Sequence, residues 1–173
     1  MKSGLSNISK EELRDLLTKG WLTHDAMWLY HCFQECGMET ANRINSAAIQ
    51  SMSAIEIQRI KKVLGLPKVY RVKAFDELVE VMDGAFALIK GDFMKFTFSA
   101  TAKNFVHWQW ENCFAYEGVS ALGAIDQYQC GIMARVEGWL QGLGVPYTLK
   151  PTINGCLMHR HGQCAGDIVF NLN

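Results

Sequence analysis

The chain has 173 residues, of which 49% are hydrophobic, and 17 basic side chains balance 17 acidic ones. Because the protein has no net positive charge to attract a polyanion, we do not expect it to bind nucleic acid. No apolar run reaches the ~20 residues that are needed to cross a bilayer. We therefore expect a single domain over residues 1–173 in the cytoplasm, with no membrane contact. In that compartment the six cysteines stay reduced, which leaves them free for metal binding or catalysis.

The first part of the chain, residues 1–88, has the spacing of helices. Ser9-Lys-Glu-Glu12 is a capping-box pattern that starts the first of them. Gly20 and Gly37 are expected to interrupt the helical path, and Pro67 follows its end. The apolar periodicity predicts helices over residues 10–19, 21–37, 39–64 and 76–87.

The remaining part, residues 89–173, changes to the two-residue period of strands. Aromatic and β-branched residues alternate with polar ones over residues 92–100 and 104–111, which predicts a hairpin. Short helices are predicted over residues 114–122 and 128–143, and a last β region over residues 147–151, 156–160 and 167–172. Helices first and strands late predict an α+β fold, with N-terminal helices packed on an antiparallel sheet formed mainly by the C-terminal half.

One helical stripe in the first part carries side chains suited to chemistry. Trp21, His24 and Trp28 recur at helical spacing, and Asp25 follows His24 directly. A histidine beside a carboxylate in aromatic surroundings can be tuned for proton transfer, so His24 and Asp25 are catalytic candidates. Trp21 and Trp28 are candidates for substrate contact. A buried histidine that is satisfied by hydrogen bonds is an equally good interpretation.

The predicted strand over residues 104–111 has two unlike faces. Trp108 lies on the apolar face, whereas His107 and Glu111 share the polar one. We expect the polar face to line a pocket, with His107 as a catalytic candidate. Trp108 and Glu111 are candidates for substrate contact.

Four cysteines lie at the ends of predicted elements, where a fold can gather distant ligands at one point. Thiolates suit zinc or iron, so these residues predict a metal site or a thiol cluster; small buried core residues are the alternative. Cys32 and Cys36, one helical turn apart, are expected to pack in the core, although a place in the site stays open for them. The four candidate ligands are Cys113, Cys130, Cys156 and Cys164.

The stretch Cys156-Leu-Met-His-Arg-His-Gly-Gln-Cys164 combines cysteines with histidines. Cys156 and His159 would face opposite ways on an extended chain, which disfavours a self-contained metal site. We expect His159 and His161 to face solvent in a hairpin, with Gly162 at the turn, while leaving open that they join the site.

The last part of the chain contains six short motifs, which are Asn112-Cys113-Phe-Ala-Tyr116, Leu122-Gly123, Gln129-Cys130, Gly142-Leu-Gly144, Lys150-Pro-Thr152 and Gly162-Gln-Cys164. Together they resemble the L-2-amino-thiazoline-4-carboxylic acid hydrolase family and its uncharacterised cytosolic relatives. The cysteine-bearing end also resembles 4-vinyl-reductase-type domains, which bind small ligands or metal in an α+β fold. The first resemblance implies hydrolytic opening of a cyclic C–N bond, with the family's cysteines at Cys113, Cys130 and Cys164.

Two functions follow as expectations. The first is a small-molecule hydrolase in which the cysteines hold a metal or form a thiol site and His24 or Asp25 moves the proton. The second is a non-catalytic sensor or binding module with an aromatic cavity for a small-molecule ligand. A homodimer through an exposed face of the helix over residues 39–64 is compatible with both. The chain lacks the glycine loops of nucleotide-binding sites, which disfavours nucleotide-driven chemistry.

Overall fold

The computed structural model describes residues 7–173 and has helices on one face of a four-stranded sheet. The strand order is β1-β2-β4-β3, and each neighbouring pair is antiparallel. The expected α+β architecture is confirmed. None of the helices in residues 7–173 is both long enough and apolar enough to cross a membrane. In chain order the elements are α1 (Lys10–Val63), α2 (Phe75–Ile89), β1 (Lys95–Ala102), β2 (Phe105–Asn112), α3 (Phe114–Ala121), α4 (Ile132–Leu143), β3 (Tyr147–Lys150), α5 (Leu157–His161) and β4 (Cys164–Phe170).

Helix α1 begins at the predicted capping box and is broken once. The Ser9 hydroxyl accepts from the backbone N–H of Glu12, and the Glu12 carboxylate accepts from the backbone N–H of Ser9. Gly37 has φ 76° and ψ 161°, a backbone conformation open almost only to glycine, and it separates a front segment from a back segment. The predicted break at Gly20 is wrong, because an isolated glycine inside a helix costs only about 1 kcal/mol relative to alanine.

The inner face of the sheet packs on the helices. Across it, Phe98 on β1, Trp108 on β2 and Gly166 on β4 are directly paired neighbours. A Cβ at position 166 would collide with the carbonyl oxygen of Lys150 and lie 2.7 Å from Cζ2 of Trp108, so glycine allows the Trp108 indole to approach β4 closely. Ile57 of α1 and Ile168 of β4 belong to the same buried core, which therefore joins both parts of the chain.

The stretch between the last two strands differs from its prediction. Residues 156–160 were expected to be extended, but Leu157–His161 form the short helix α5, with Arg160 N–H bonded to the Cys156 carbonyl at 3.0 Å. Gly162 ends it with φ 70°. His159 and His161 are exposed as expected, and His159 Nε2 lies 2.8 Å from Oδ1 of Asp126.

A buried ammonium group ties α1 to the end of α4. Nζ of Lys61 donates to the carbonyl oxygens of Tyr70 at 2.9 Å and Gly142 at 2.8 Å. Burial lowers the pKa of Lys61, and the nearby charge of Arg71 lowers it further. A cation is favoured at a helix C-terminus, where carbonyl groups lack partners. This contact links α1 to α4, and α4 carries Arg135 and Trp139 of the candidate site.

Candidate functional site

A cavity of about 470 Å³ lies between the inner face of the sheet and the helices. Its volume falls within the range of small-ligand sites, about 300–1,000 Å³. Side chains of α1, α2, α3, α4, β1 and β2 line it, so it needs the whole fold rather than one motif. Ten of the lining residues are aromatic: Trp21, Phe86, Phe93, Phe96, Phe98, Trp108, Trp110, Phe114, Tyr128 and Trp139.

One wall of this cavity holds a buried ion pair. Glu56 of α1 accepts from Nε of Arg135 on α4 at 2.7 Å and from its Nη2, and also from Nε1 of Trp139 at 2.9 Å. The guanidinium carbon of Arg135 lies 4.8 Å from the ring centre of Trp21 and 5.3 Å from that of Trp139. Arg135 is therefore held by both an anion and two indole faces.

Asp25 lies at the mouth of the cavity, on the front segment of α1. It lines the cavity while remaining exposed to solvent. Partial burial raises the pKa of its carboxyl group, and the nearby His24 and Arg135 oppose that rise. Trp21 and Trp108, two of the candidates for substrate contact, also line the cavity.

The structure places His24 and Trp28 outside the cavity. Both are exposed, and Nε1 of Trp28 donates to Nε2 of His24 at 3.1 Å. Although His24 precedes Asp25 in sequence, successive residues of a helix point about 100° apart, so only Asp25 turns inwards. The expected His24–Asp25 pair is thus split between the surface and the site.

His107 and Glu111 lie on the outer face of the sheet, and neither lines the cavity. His107 Nδ1 lies 2.8 Å from Oδ1 of Asp167 on β4, and Ser99 of β1 is its partner on the other side. The expectation that the polar face of β2 lines a pocket is wrong. The helices cover the apolar face that carries Trp108, because removing apolar surface from water is favourable. The polar side chains of the other face are more stable in contact with water.

The four cysteines predicted as ligands are brought together around a second, smaller cavity of about 10 Å³, which we call the thiol chamber. Cys113, Cys156 and Cys164 are buried and Cys130 is partly buried. Cys36, in contrast, is exposed, so its predicted core position is wrong, while Cys32 packs partly buried against Met38 and its neighbours.

Three thiols of the chamber, those of Cys113, Cys130 and Cys164, have raised pKa values. Burial raises the pKa of Cys113 to about 11 and that of Cys164 to about 12. Burial also raises the pKa of Cys130. Repulsion from the neighbouring thiolates adds to each of these rises. Because the thiolate is the nucleophile, the chamber does not favour nucleophilic catalysis by a bare cysteine.

The chemical type of the four side chains in the chamber favours a metal ion, whereas their arrangement does not. All four donors are thiols, the ligands that soft or borderline ions such as zinc prefer, and the volume suits a single small occupant. Within residues 7–173, however, no three His, Cys, Asp or Glu side chains are grouped so as to hold a metal ion. Binding there would require the thiol side chains to rotate towards a common centre.

The thiol chamber and the large cavity are neighbours that share six lining residues. Trp108 is one of them, and in the described part of the chain its buried indole N–H has no acceptor. Such an orphan donor is a natural partner for an occupant of the site. The residues that line both spaces are Trp108, Trp110, Ala115, Tyr128, Ile132 and Met133.

Sequence reasoning missed Glu56, Arg135 and Trp139. Arg135 and Trp139 are one turn apart on a helix that was predicted, and that spacing was the available signal for a shared face. Glu56 had no comparable signal, since it meets them only through the packing of α1 on α4.

Comparison with known proteins gives one family and no activity. A profile described as a family of unknown function, DUF6125, matches residues 6–113, which is more than half of the chain. The matched part covers α1, α2, β1 and β2 and ends at Cys113, before the other three cysteines of the chamber. No curated protein matches the chain significantly.

Proposed function

Since the chain belongs to the family of unknown function DUF6125, its own cavity is the best guide to its activity, and we propose that it binds a small organic molecule. The cavity of about 470 Å³, walled by aromatic side chains and open beside Asp25, carries this proposal. Apolar walls with a few polar groups at one end are the usual form of a small-ligand site.

The geometry supports binding more strongly than hydrolysis. A hydrolase needs a group that activates water within reach of the substrate. Of the three catalytic candidates, only Asp25 lines the cavity, while His24 and His107 lie elsewhere on the surface. A binding or sensor module needs no such group. The six free cysteines are compatible with a role in the cytosol, where thiols stay reduced.

The experiment is a titration with N-phenylnaphthylamine, a dye that is uncharged at neutral pH and brightens in apolar surroundings. Ala26 lines the cavity on α1, so Ala26→Phe places a ring in the ligand's space. Ala48, exposed on the same helix and absent from the lining, provides the matched variant Ala48→Phe. We expect dye binding to weaken at least about tenfold in Ala26→Phe, which corresponds to about 1.4 kcal/mol, and to stay unchanged in Ala48→Phe. A wild-type protein that does not brighten the dye contradicts the proposal.

The second candidate function is binding of a soft metal ion in the thiol chamber. This candidate is supported by four thiols that are distant in sequence but line one small cavity, whose lining within residues 7–173 includes no acidic or basic side chain. The four residues are Cys113, Cys130, Cys156 and Cys164. A bound ion would supply either a structural cross-link or a Lewis acid. The four thiols would hold it after losing their protons.

Cobalt titration tests the second candidate, because thiolate ligands give cobalt an intense charge-transfer absorption. Cys164→Ser removes a chamber donor, whereas Cys36→Ser removes an exposed thiol of α1. We expect the absorption in the wild type and in Cys36→Ser, and its loss or a weaker band in Cys164→Ser. Equal spectra for the two variants would argue against the chamber as the site.

A further inference from the structure

The charged side chains that line the large cavity leave one negative charge without a partner. They are Lys19, Asp25 and Arg135. Lys19 has Asp15 at 3.9 Å, and Arg135 has the bidentate Glu56. The carboxyl group of Asp25 has neither a hydrogen bond nor an ion pair within residues 7–173, and only the longer-range charges of His24 and Arg135 act on it. The mouth of the cavity therefore presents a carboxylate without a direct partner in the described part of the chain.

Two aromatic side chains that line the same cavity as Asp25 already contact cations. The Arg135 guanidinium lies 4.8 Å from the Trp21 ring centre, and Nζ of Lys19 lies 5.2 Å from that of Phe93. A ring face attracts a positive charge through its quadrupole, by about 0.5–2 kcal/mol depending on exposure. A cationic group entering between Asp25 and the aromatic wall would gain from both.

We propose that the ligand is an organic amine with an apolar body, whose ammonium group lies at Asp25 and whose body fills the aromatic cavity. This inference rests on the proposed small-ligand binding and names its chemical class. The ammonium would donate hydrogen bonds to the free oxygens of Asp25, and the body would displace water from walls that offer it few partners.

An anionic ligand would meet the opposite conditions. Its charge would face Asp25 at the mouth, and the two cations there are already engaged by Asp15 and Glu56. If Arg135 bound an anionic ligand instead, the largely buried Glu56 carboxylate would lose its counter-ion, which is energetically unfavourable. An uncharged ligand would gain the apolar contacts and lose only the interaction with Asp25.

The test uses three competitors with the same body and different charge: phenylbutylamine, phenylbutanol and phenylbutyrate, each displacing N-phenylnaphthylamine at neutral pH. For a half-exposed ion pair worth about 1 kcal/mol, we expect the amine to bind about fivefold more tightly than the alcohol, with the acid weakest. Asp25→Asn should bring the affinity for the amine to the level of the affinity for the alcohol, both measured by displacement of the dye from the same variant. Asp83→Asn, an exposed carboxylate of α2, is the control for overall charge.

The outcomes separate the inference from the function on which it rests. If the wild-type protein does not bind the dye, the proposed function fails and the amine inference fails with it. If the dye binds but the three competitors displace it equally, the amine inference is overturned while ligand binding stands. Retention of the amine preference in Asp25→Asn, or its loss in Asp83→Asn, would also overturn it.

Discussion

The Glu56 carboxylate joins α1 to α4 by accepting two hydrogen bonds from the Arg135 guanidinium, at 2.7 Å from Nε and 2.5 Å from Nη2. Both side chains are largely buried, at 17% and 15% exposure. The same carboxylate accepts from the Trp139 indole. One acidic residue thus fixes the position of a cation and an aromatic ring in the wall of the cavity.

Glu56→Gln should destabilise the fold. The substitution leaves the Arg135 charge in a desolvated place without its counter-ion, and we expect a loss of about 2–3 kcal/mol in the free energy of unfolding. Urea denaturation measures it. Glu39→Gln, at an exposed position of the same helix, should change stability by less than about 0.5 kcal/mol. Similar values for the two variants would mean that the ion pair does not stabilise the packing of α1 on α4.

Two glycines of α1 should respond to alanine in opposite ways. Gly37 has φ 76° and ψ 161°, so Gly37→Ala forces a side chain into a strained backbone region at a cost of about 1–3 kcal/mol. Gly20 is helical and has open space around its Cβ position, so Gly20→Ala should stabilise by about 0.5–1 kcal/mol. Thermal unfolding followed by circular dichroism measures both. A stabilised Gly37→Ala would show that the break is not required.

The buried ammonium of Lys61 should contribute more than its exposed neighbour. Lys61→Met keeps the apolar stem but removes a donor to the Tyr70 and Gly142 carbonyls, and we expect a loss of about 1–3 kcal/mol. Lys62→Met, exposed on the same turn, serves as the control and should have little effect. Urea denaturation of both variants gives the comparison. Equal stabilities would indicate that Arg71, which donates to the same two carbonyls, satisfies them alone.

The protonated thiols of the chamber should make the fold less stable in alkali. The pKa of Cys164 is raised in the folded protein to about 12, and that of Cys113 to about 11, whereas an unfolded cysteine has a pKa near 8.5. Above that value the unfolded chain loses protons that the folded chain retains, so the free energy of unfolding falls as pH rises. The slope reaches at most about 1.4 kcal/mol per pH unit for each thiol.

Denaturation between about pH 8 and pH 10 measures this slope. Cys164→Ala removes one buried thiol and should make the decline shallower, whereas Cys36→Ser, which removes an exposed thiol, should leave it unchanged. The slope is the quantity to compare, since Cys164→Ala also changes the absolute stability by leaving a small void. An unchanged slope in Cys164→Ala would show that this thiol does not control the alkaline behaviour.

Local sequence patterns predicted the parts of the fold that depend on interactions between residues close together in the chain. The alternation in β2 identified a strand with two faces, and the capping box located the start of α1. Helix α5 was missed because five residues are too few to show a helical period, and the glycine that ends it also suits a hairpin turn. Gly20 and Gly37 look alike in sequence, and only the packed structure distinguishes them.

The candidate site was also predicted in part, and again the residues that only tertiary packing brings together were missed. The cysteine positions at element ends predicted that four thiols would meet, and Trp21 and Asp25 were identified as residues of interest. The pairing of Glu56 with Arg135 was not predictable, since residues on separate helices meet only through tertiary packing. The choice of the wrong face of β2 came from judging a face by its polarity without knowing which side the helices would cover.

The shared wall around Trp108 has a consequence for how the two compartments communicate. A molecule that fills the large cavity would contact side chains that also line the thiol chamber. A thiol reagent arriving through the large cavity must pass those side chains. The rate at which Cys113 and Cys164 are alkylated would therefore report what occupies the neighbouring space, even before the occupant has been identified.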